Sequence, residues 1–427
     1  MIGREDKMRL LPSKKVAGEI AVPPDKSISH RALMMCSMCS GVSVVHNLLE
    51  SEDTLRTFRI ISELGGGFNG DFDRLEISQA SWEASSGPLY CGNSGTTARL
   101  MAGVLAGKRG THILFGDESL SARPMRRVIA PLKEMGARIS ARQEDSLLPM
   151  CIAGGELNGC DHSLSVASAQ VKSAILLAGI QAEGVTTVTE PHCSRDHTER
   201  LLQSMGARIS VNEKRVEVER SELLPVRFSI PGDISSAAFL IALAVLHENG
   251  KLTIRNVGLN GGRTGFLRLL ISMGADIELE VEESSPEPVG TIVARPSRLR
   301  GVEVGSALIP SMIDELPLIA LAGAFAEGTT TVRGAGELRK KESDRISVTV
   351  QNFRRIGVEI HEYEDGFSIE GPQRIMGGKV DSYGDHRIAM LFSIAGLLSE
   401  EGVEIANTEA VGVSFPGFFQ TLEEVCR

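Results

Sequence analysis

Met135-Gly136-Ala137-Arg138-Ile139 returns as Met205-Gly206-Ala207-Arg208-Ile209 and again as Met273-Gly274-Ala275-Asp276-Ile277. Each stretch reads as the end of a helix, a glycine, and the start of a strand. Looser copies are Leu64-Gly65 and Ile356-Gly357-Val358-Glu359-Ile360. Glycine suits this place because it enters the left-handed region that closes a helix without a Cβ penalty. A second marker, a glycine followed by a short strand-like run, begins at Gly41, Gly110, Gly184, Gly250, Gly328 and Gly402, at intervals of 69, 74, 66, 78 and 74 residues. Before each of these stands an apolar, small-residue helical run: 28–38, 96–106, 171–180, 235–246, 316–326 and 386–398. Runs that are apolar nearly all round are expected to be buried. More polar helices follow the strands, as in 53–64, 125–135 and 198–205.

Two independent markers in one order, at a period near 70 residues, define a repeat. The fold class is therefore α/β with six internal repeats, which divide most simply three and three into two similar lobes. Pro231-Gly232-Asp233 is the expected join and Pro23-Pro24 a rigid second crossing. The expected division is 22–231 for the first lobe, and 1–21 with 232–427 for the second. The sixth copy ends early, after Phe418 to Val425.

Composition narrows the function classes. The chain has 427 residues, too many for one core, with 42% hydrophobic and only 4% aromatic residues, so small and aliphatic side chains must do most of the packing. Its net charge of −10 argues against a nucleic-acid or membrane-surface protein, so an anionic ligand needs a local basic cluster. Seven cysteines without framework spacing suggest reduced thiols and a cytoplasmic protein, and Cys36 and Cys39 fall in an apolar helical pattern that reads as core. The first ten residues lack a signal-peptide core, no apolar run reaches membrane-span length, and no metal constellation appears, so no cofactor is expected.

The residues that open the six buried helices are polar and cap-like. They are Asp25-Lys26-Ser27 with Arg31, Asn93-Ser94-Gly95-Thr96, Ser168-Ala169-Gln170, Gly232-Asp233-Ile234-Ser235, Ile313-Asp314-Glu315, and Gly384-Asp385-His386-Arg387. Helix N-termini carry unpaired N–H donors and partial positive charge, which suits phosphate and carboxylate. A second class of turn adds charge: Arg123-Pro124 with Arg126 and Arg127, Ser194-Arg195-Asp196-His197, and Lys340-Lys341-Glu342-Ser343-Asp344-Arg345. Arg126, Arg127 and Lys340 read as a solvated helix start. If Lys341 and Arg345 lie on one helix they share a face, with Glu342 beside them, and two cations with a carboxylate can grip an anion and move a proton.

Taken together these motifs resemble the 5-enolpyruvylshikimate-3-phosphate (EPSP) synthase family over essentially the whole chain, with Ser414-Phe415-Pro416 completing the pattern. The resemblance implies an inside-out α/β barrel in which each lobe holds three βαβαββ units, and an N-terminal strand packed with the second lobe. It implies transfer of the enolpyruvyl group of phosphoenolpyruvate to the 5-hydroxyl of shikimate 3-phosphate with release of phosphate, the lobes closing on substrate. It also implies a monomer whose partners are these two small molecules, with neither nucleic acid nor membrane. By match, Lys26 touches both substrates; Ser27 and Arg31 hold shikimate 3-phosphate, Arg31 at its carboxylate; Ser168, Ala169 and Gln170 line its phosphate, with Lys341 opposite. Gly95, through its N–H, and Arg123 hold the phosphate of phosphoenolpyruvate, and Arg345 and Arg387 its carboxylate. Asp314 is the implied base, Glu342 the implied acid, and Lys26 a proton relay. The structural alternatives are that Asp314 merely caps its helix and that Glu342 merely pairs with Lys341.

Two departures stand out. Val413 occupies a position where many members have Lys, which shifts phosphate binding onto Lys26 and Arg123. A Tyr that many members use near the shikimate carboxylate is missing, and Arg195 stands in for it, as in the divergent, often glyphosate-tolerant branch that Ser194-Arg195-Asp196-His197-Thr198-Glu199 resembles. Two readings compete with this one. The sister enolpyruvyl transferase acting on UDP-N-acetylglucosamine resembles Lys-Asn at the first motif and carries a Cys in the mobile loop, whereas this chain has Lys26-Ser27 and no Cys from Lys108 to Arg123. A non-catalytic anion-binding scaffold would have no use for Asp314 and Glu342.

Overall fold

The computed structural model describes residues 7–283 and 286–426, and divides them into two compact lobes. The first lobe is Pro24–Pro231 with residues 286–287, and the second combines residues 7–23, 232–283 and 288–426. Each lobe carries three repeats, and each repeat one inner and one outer helix. In chain order the helices are α1 (Lys26–Cys36), α2 (Glu52–Glu63), α3 (Gly95–Ala106), α4 (Arg126–Glu134), α5 (Ala169–Gly179), α6 (His197–Ser204), α7 (Ile234–Leu246), α8 (Gly265–Ser272), α9 (Leu316–Phe325), α10 (Arg345–Arg355), α11 (His386–Leu397) and α12 (Phe418–Val425). Odd numbers are inner helices.

Inner helices are apolar on every side, so only the interior can hold them. All residues of α7 are buried, as are all of α11. Outer helices bury one face. In α2 it is Thr54, Thr57, Ile60 and Ile61, and Ser51 and Thr54 form a reciprocal capping box at its start. The outer helices end in the glycines that mark the repeat: Gly65, Gly136, Gly206, Gly274 and Gly357 all have positive φ, between +77° and +104°.

Among the described residues six small sheets cover the helices, one per repeat. The second repeat shows the pattern: Gly110–Phe115 runs parallel to Leu89–Tyr90 and antiparallel to Leu147–Gly154, which pairs in turn with Arg138–Ala141. Ile113 lies opposite Cys151, and Ile139 opposite Ile152. Closure within each lobe uses distant segments. Arg227–Ser229 supplies the parallel neighbour of Val42–His46 in the first repeat. Val16–Ala21 does the same for Gly250–Gly258 in the fourth. Lys7–Leu10 pairs antiparallel with Val403–Ala406, completing the three-stranded sheet of the sixth repeat.

The inner helices of each lobe pack on one another. In the first lobe the approach of α3 to α5 is close: a Cβ at Gly103 would lie 2.1 Å from the carbonyl oxygen of Ala174. All seven thiols are free, and burial pushes Cys36 up to about 12, as suits a small hydrophobe in the core. No helix among the described residues is long and apolar enough to cross a membrane.

Candidate active site

In the first lobe the starts of α1, α3 and α5 are joined by side-chain hydrogen bonds. Asp25 caps α1 by accepting from Ile28 N at 2.9 Å, which places Lys26 and Ser27 in the first turn. Lys26 Nζ donates to Asp53 Oδ2 of α2 at 3.0 Å. Ser94 caps α3, accepting from both Thr97 N and Thr97 Oγ1, so Gly95 is the first helical residue. A Cβ at Gly95 would stand 2.7 Å from Arg99 Nη1 and 3.7 Å from Arg123 Nη1. Two guanidinium groups therefore flank the backbone where a side chain would be. Arg123 donates to the Asn93 side chain and, at 3.2 Å, to Ser119 Oγ. Ser168 is the N-cap residue of α5 but makes no side-chain cap bond, and Ala169 opens the helix. Gln170 bridges helices, its Nε2 donating to Thr96 Oγ1 at 2.9 Å and its Oε1 accepting from Arg99 Nη1 at 2.7 Å.

Behind these residues the interior of the first lobe is polar in two places. His30 Nδ1, Thr57, Thr97 and Ser94 form a chain of contacts of 2.7, 2.8 and 2.7 Å, tying α1, α2 and α3. Burial holds His30 down to about 3, so its imidazole is neutral. The second place is beside Arg31. Lys172 Nζ meets Glu190 Oε2 and Glu199 Oε1, each at 2.7 Å, with all three side chains 3% exposed. Burial opposes the charge on Lys172, but the two carboxylates outweigh it and raise its pKa; burial raises that of Glu199, since one ammonium serves two carboxylates. Arg31 itself is pulled down to about 10 by burial, with Glu199 and Asp25 working the other way, and it stays charged at neutral pH. Arg195, on the loop into α6, is close enough to act electrostatically on Arg31.

In the second lobe Lys341 and the starts of α10 and α11 meet Asp314, which lies just before α9. Its carboxylate lies 3.6 Å from Lys341 Nζ, 3.4 Å from Arg345 Nη1 and 3.8 Å from Arg387 Nη2. Arg345 is 1% exposed and is gripped by carboxylates: Asp385 at 2.8 Å through Nε and Glu342 at 2.6 Å through Nη2. Burial works against its charge, but Asp385 and Glu342 prevail and raise its pKa. Asp385, which Ser343 Oγ also approaches at 2.9 Å, is buried yet held below the usual carboxylate range by Arg345. Arg387 Nη1 lies 3.6 Å from Glu315 Oε1; Glu315 accepts from Ser235, and Ser235 accepts from Arg263 at 2.7 Å. One chain of contacts thus runs Arg263–Ser235–Glu315–Arg387.

The expectation that Lys341 and Arg345 share a helix face is corrected. Residues 336–340 form a 3₁₀ turn, Lys341 is extended, and α10 begins only at Arg345, because Asp344 caps it by accepting from Ser347 N at 3.0 Å. Lys341 and Arg345 still meet, through Asp314 rather than through helix spacing. The structural alternatives for the two acids also change. Asp314 caps no helix: the N-cap residue of α9 is Glu315, without a side-chain cap bond. Glu342 reaches Arg345. Residues that sequence reading did not place at the site are Asp53, Arg99, Ser173, Thr198 and the Lys172 cluster in the first lobe, with Glu315 and Arg263 in the second.

A six-repeat α/β fold, with cations and amide N–H groups at one cluster of helix starts and a carboxylate ringed by three cations at the other, defines an enzyme class that handles small polyanions and moves protons. The comparisons specify it further. Residues 10–422 match the family model of EPSP synthase (3-phosphoshikimate 1-carboxyvinyltransferase). A 3-phosphoshikimate 1-carboxyvinyltransferase from Thermotoga neapolitana is 54% identical over 419 residues, covering 98% of this chain and 99% of the relative; one from Geobacter metallireducens is 46% identical, covering 97% and 98%. The EPSP synthase of Acinetobacter baumannii, solved at 2.37 Å, superposes with a TM-score of 0.88 at 38% identity over 98% of each chain. The chain belongs to the EPSP synthase family.

Proposed function

We propose that this chain transfers the enolpyruvyl group of phosphoenolpyruvate to the 5-hydroxyl of shikimate 3-phosphate and releases phosphate. The observation that carries the proposal is Asp314, a carboxylate ringed by Lys341, Arg345 and Arg387 at 3.4–3.8 Å. An alcohol is a weak nucleophile and the enol phosphate carbon is unactivated, so addition needs one group to take the hydroxyl proton and another to protonate the methylene carbon; release of phosphate then takes a proton back from that methyl group and restores the double bond. Asp314 is the base: its carboxylate takes the hydroxyl proton, and the surrounding cations offset the anionic substrates beside it. Glu342 is the acid, next to Arg345 at 2.6 Å. Lys26 relays a proton or balances the departing phosphate.

The remaining assignments follow the chemistry of each group. Arg31, with Arg195 near it, takes the shikimate carboxylate; Ser27, Ser168, Ala169 and Gln170 take shikimate 3-phosphate, with Lys341 at its phosphate. The Gly95 N–H and Arg123 suit the phosphate of phosphoenolpyruvate, where the missing side chain lets an oxygen approach the helix start. Arg345 and Arg387 suit its carboxylate by their charge.

Phosphate release tests it. The protein should release phosphate only with both substrates present, and not when UDP-N-acetylglucosamine replaces shikimate 3-phosphate. Release with the nucleotide sugar would move the chain to the sister reaction, and no release with either acceptor would leave a binding scaffold.

A further inference from the structure

Arg31 is 3% exposed, and three of its five N–H donors are committed inside the first lobe. Nε donates to Thr198 Oγ1 and Nη2 to Ser173 Oγ, both at 2.7 Å, and Nη1 to Ser27 O at 3.0 Å. The two hydroxyls touch each other at 2.7 Å. One edge of the guanidinium thus lies against a hydroxyl pair, one hydroxyl from α5 and the other from α6. Two N–H groups remain, one on each terminal nitrogen, enough to meet the two oxygens of a carboxylate.

We infer that Ser173 and Thr198 are positioning residues that aim Arg31 at the carboxylate of the acceptor substrate, an inference that rests on the reading of Arg31 given above. The chemistry of the seat supports it. Arg345 is held by carboxylates, which offset its charge; Arg31 is held by neutral hydroxyls and a carbonyl, which fix its direction and leave its charge to a ligand. The seat is itself fixed. Lys172 precedes Ser173 on α5 and Glu199 follows Thr198 on α6, and these two form a buried ion pair at 2.7 Å, one residue from each hydroxyl. Lys172 also holds Glu190, which accepts from Ser194 N at 3.3 Å, so one ammonium pins both ends of the loop that carries Arg195. A hydroxyl pair with no other duty than to orient a cation is a specificity device: loss of either leaves the guanidinium in place but free to turn.

The test uses Thr198→Val, which keeps the shape of the side chain, and Ser173→Ala, singly and together, in the full chain. Calorimetric titration with shikimate 3-phosphate should show Kd raised about tenfold in the double variant, the scale of one lost hydrogen bond to a charged group. KM for shikimate 3-phosphate should rise in parallel, with kcat and KM for phosphoenolpyruvate changed by less than about twofold. Thr198→Ser should restore wild-type binding. With the carboxamide analogue of shikimate 3-phosphate, which lacks the charge, wild type and double variant should bind alike. Unchanged Kd for shikimate 3-phosphate would overturn the inference, as would KM values rising together for both substrates. Arg31→Gln separates the two levels: if it weakens shikimate 3-phosphate and the hydroxyl variants do not, the seat is wrong and the site stands; if Arg31→Gln binds normally, the site assignment itself fails.

Discussion

Arg345 and Asp385 meet at 2.8 Å with 1% and 0% of their side chains exposed, so the guanidinium that also reaches Asp314 and Glu342 is anchored from within the lobe. A buried pair of this kind is costly to break because the survivor keeps its charge without a partner. Asp385→Ala should lower stability by about 3–5 kcal/mol, and Asp385→Asn by less, since the amide oxygen still accepts a hydrogen bond. Chemical denaturation with an unchanged slope checks this. Equal stability in all three proteins would mean that Asp385 contributes nothing to holding Arg345.

Asp314→Asn keeps the volume of the side chain but cannot take a proton. The expected outcome is a fall in kcat on the order of a hundredfold or more, with shikimate 3-phosphate bound nearly as before. Steady-state kinetics and a binding titration on the same preparation decide it. Near-normal turnover would remove Asp314 from the chemistry.

Gly95 and Gly103 lie two turns apart on α3 and should respond differently to a methyl group. At Gly95 the added carbon meets Arg99 Nη1 at 2.7 Å, the far end of a long side chain. Arg99 then shifts, at the expense of its bond to Gln170, and the protein folds. In this family glyphosate occupies the phosphoenolpyruvate site and is the longer molecule, so Gly95→Ala should raise its inhibition constant by a larger factor than KM for phosphoenolpyruvate. Equal factors would place Gly95 away from the phosphate end.

At Gly103 the obstacle is the Ala174 carbonyl at 2.1 Å, which is backbone and cannot swing aside. Helices α3 and α5 must separate, so Gly103→Ala should cost roughly 1–3 kcal/mol or more. Thermal unfolding should show a clear drop for Gly103→Ala and a small one for Gly95→Ala. The reverse order would mean that α3 and α5 are not in close contact there.

Acid should destabilise the protein in part through His30 and Asp385, alongside the buried His112 and His162, whose pKa values burial also lowers. The folded-state pKa of His30 lies at about 3, below its unfolded value, so the unfolded chain gains the proton first. Its stabilisation is whole above the usual histidine range and declines as pH falls from there towards 3. Asp385 is likewise depressed, so its contribution is whole above the usual carboxylate range and is lost at lower pH. His30→Gln should flatten the decline between about pH 6.5 and 4, where the carboxylate is not yet titrating. The check is the unfolding temperature of wild type and variant across that window; parallel curves would show that His30 does not drive the loss.

What the sequence displayed and what it hid divide along a physical line. Helix ends closed by Gly136, Gly206 and Gly274 are local signals, and apolar helices such as Ile234–Leu246 can only be buried, so the repeat was legible. Sheet closure was less so: the pairing of residues 227–229 with 44–46 depends on segments far apart in the chain, and nothing in either names its partner. At the site, the charged helix starts stood out because caps and cations there have few structural reasons to recur. Lys341 to Arg345 misled because i,i+4 spacing on paper does not reveal that Asp344 would cap a helix starting only at Arg345. Asp53, Ser173, Thr198 and Arg99 lie within ordinary-looking helices, and only packing shows which face they turn inward.

The pairing of Lys7–Leu10 with Val403–Ala406 also orders events in time. Chain emerges from the ribosome at about 5–20 residues per second, so the strand ending at Leu10 exists for roughly 20–80 s before its partner is made. Residues 24–231 are contiguous and hold their own sheet-closing strand, Arg227–Ser229, so the first lobe can be complete while the opening segment still waits. Lys7–Leu10 is among the last to be placed, whereas Val16–Ala21 finds its partner in Gly250–Gly258 well before. Until residues 403–406 are made, Lys7–Leu10 is an unpaired edge that has to be kept apart from its neighbours.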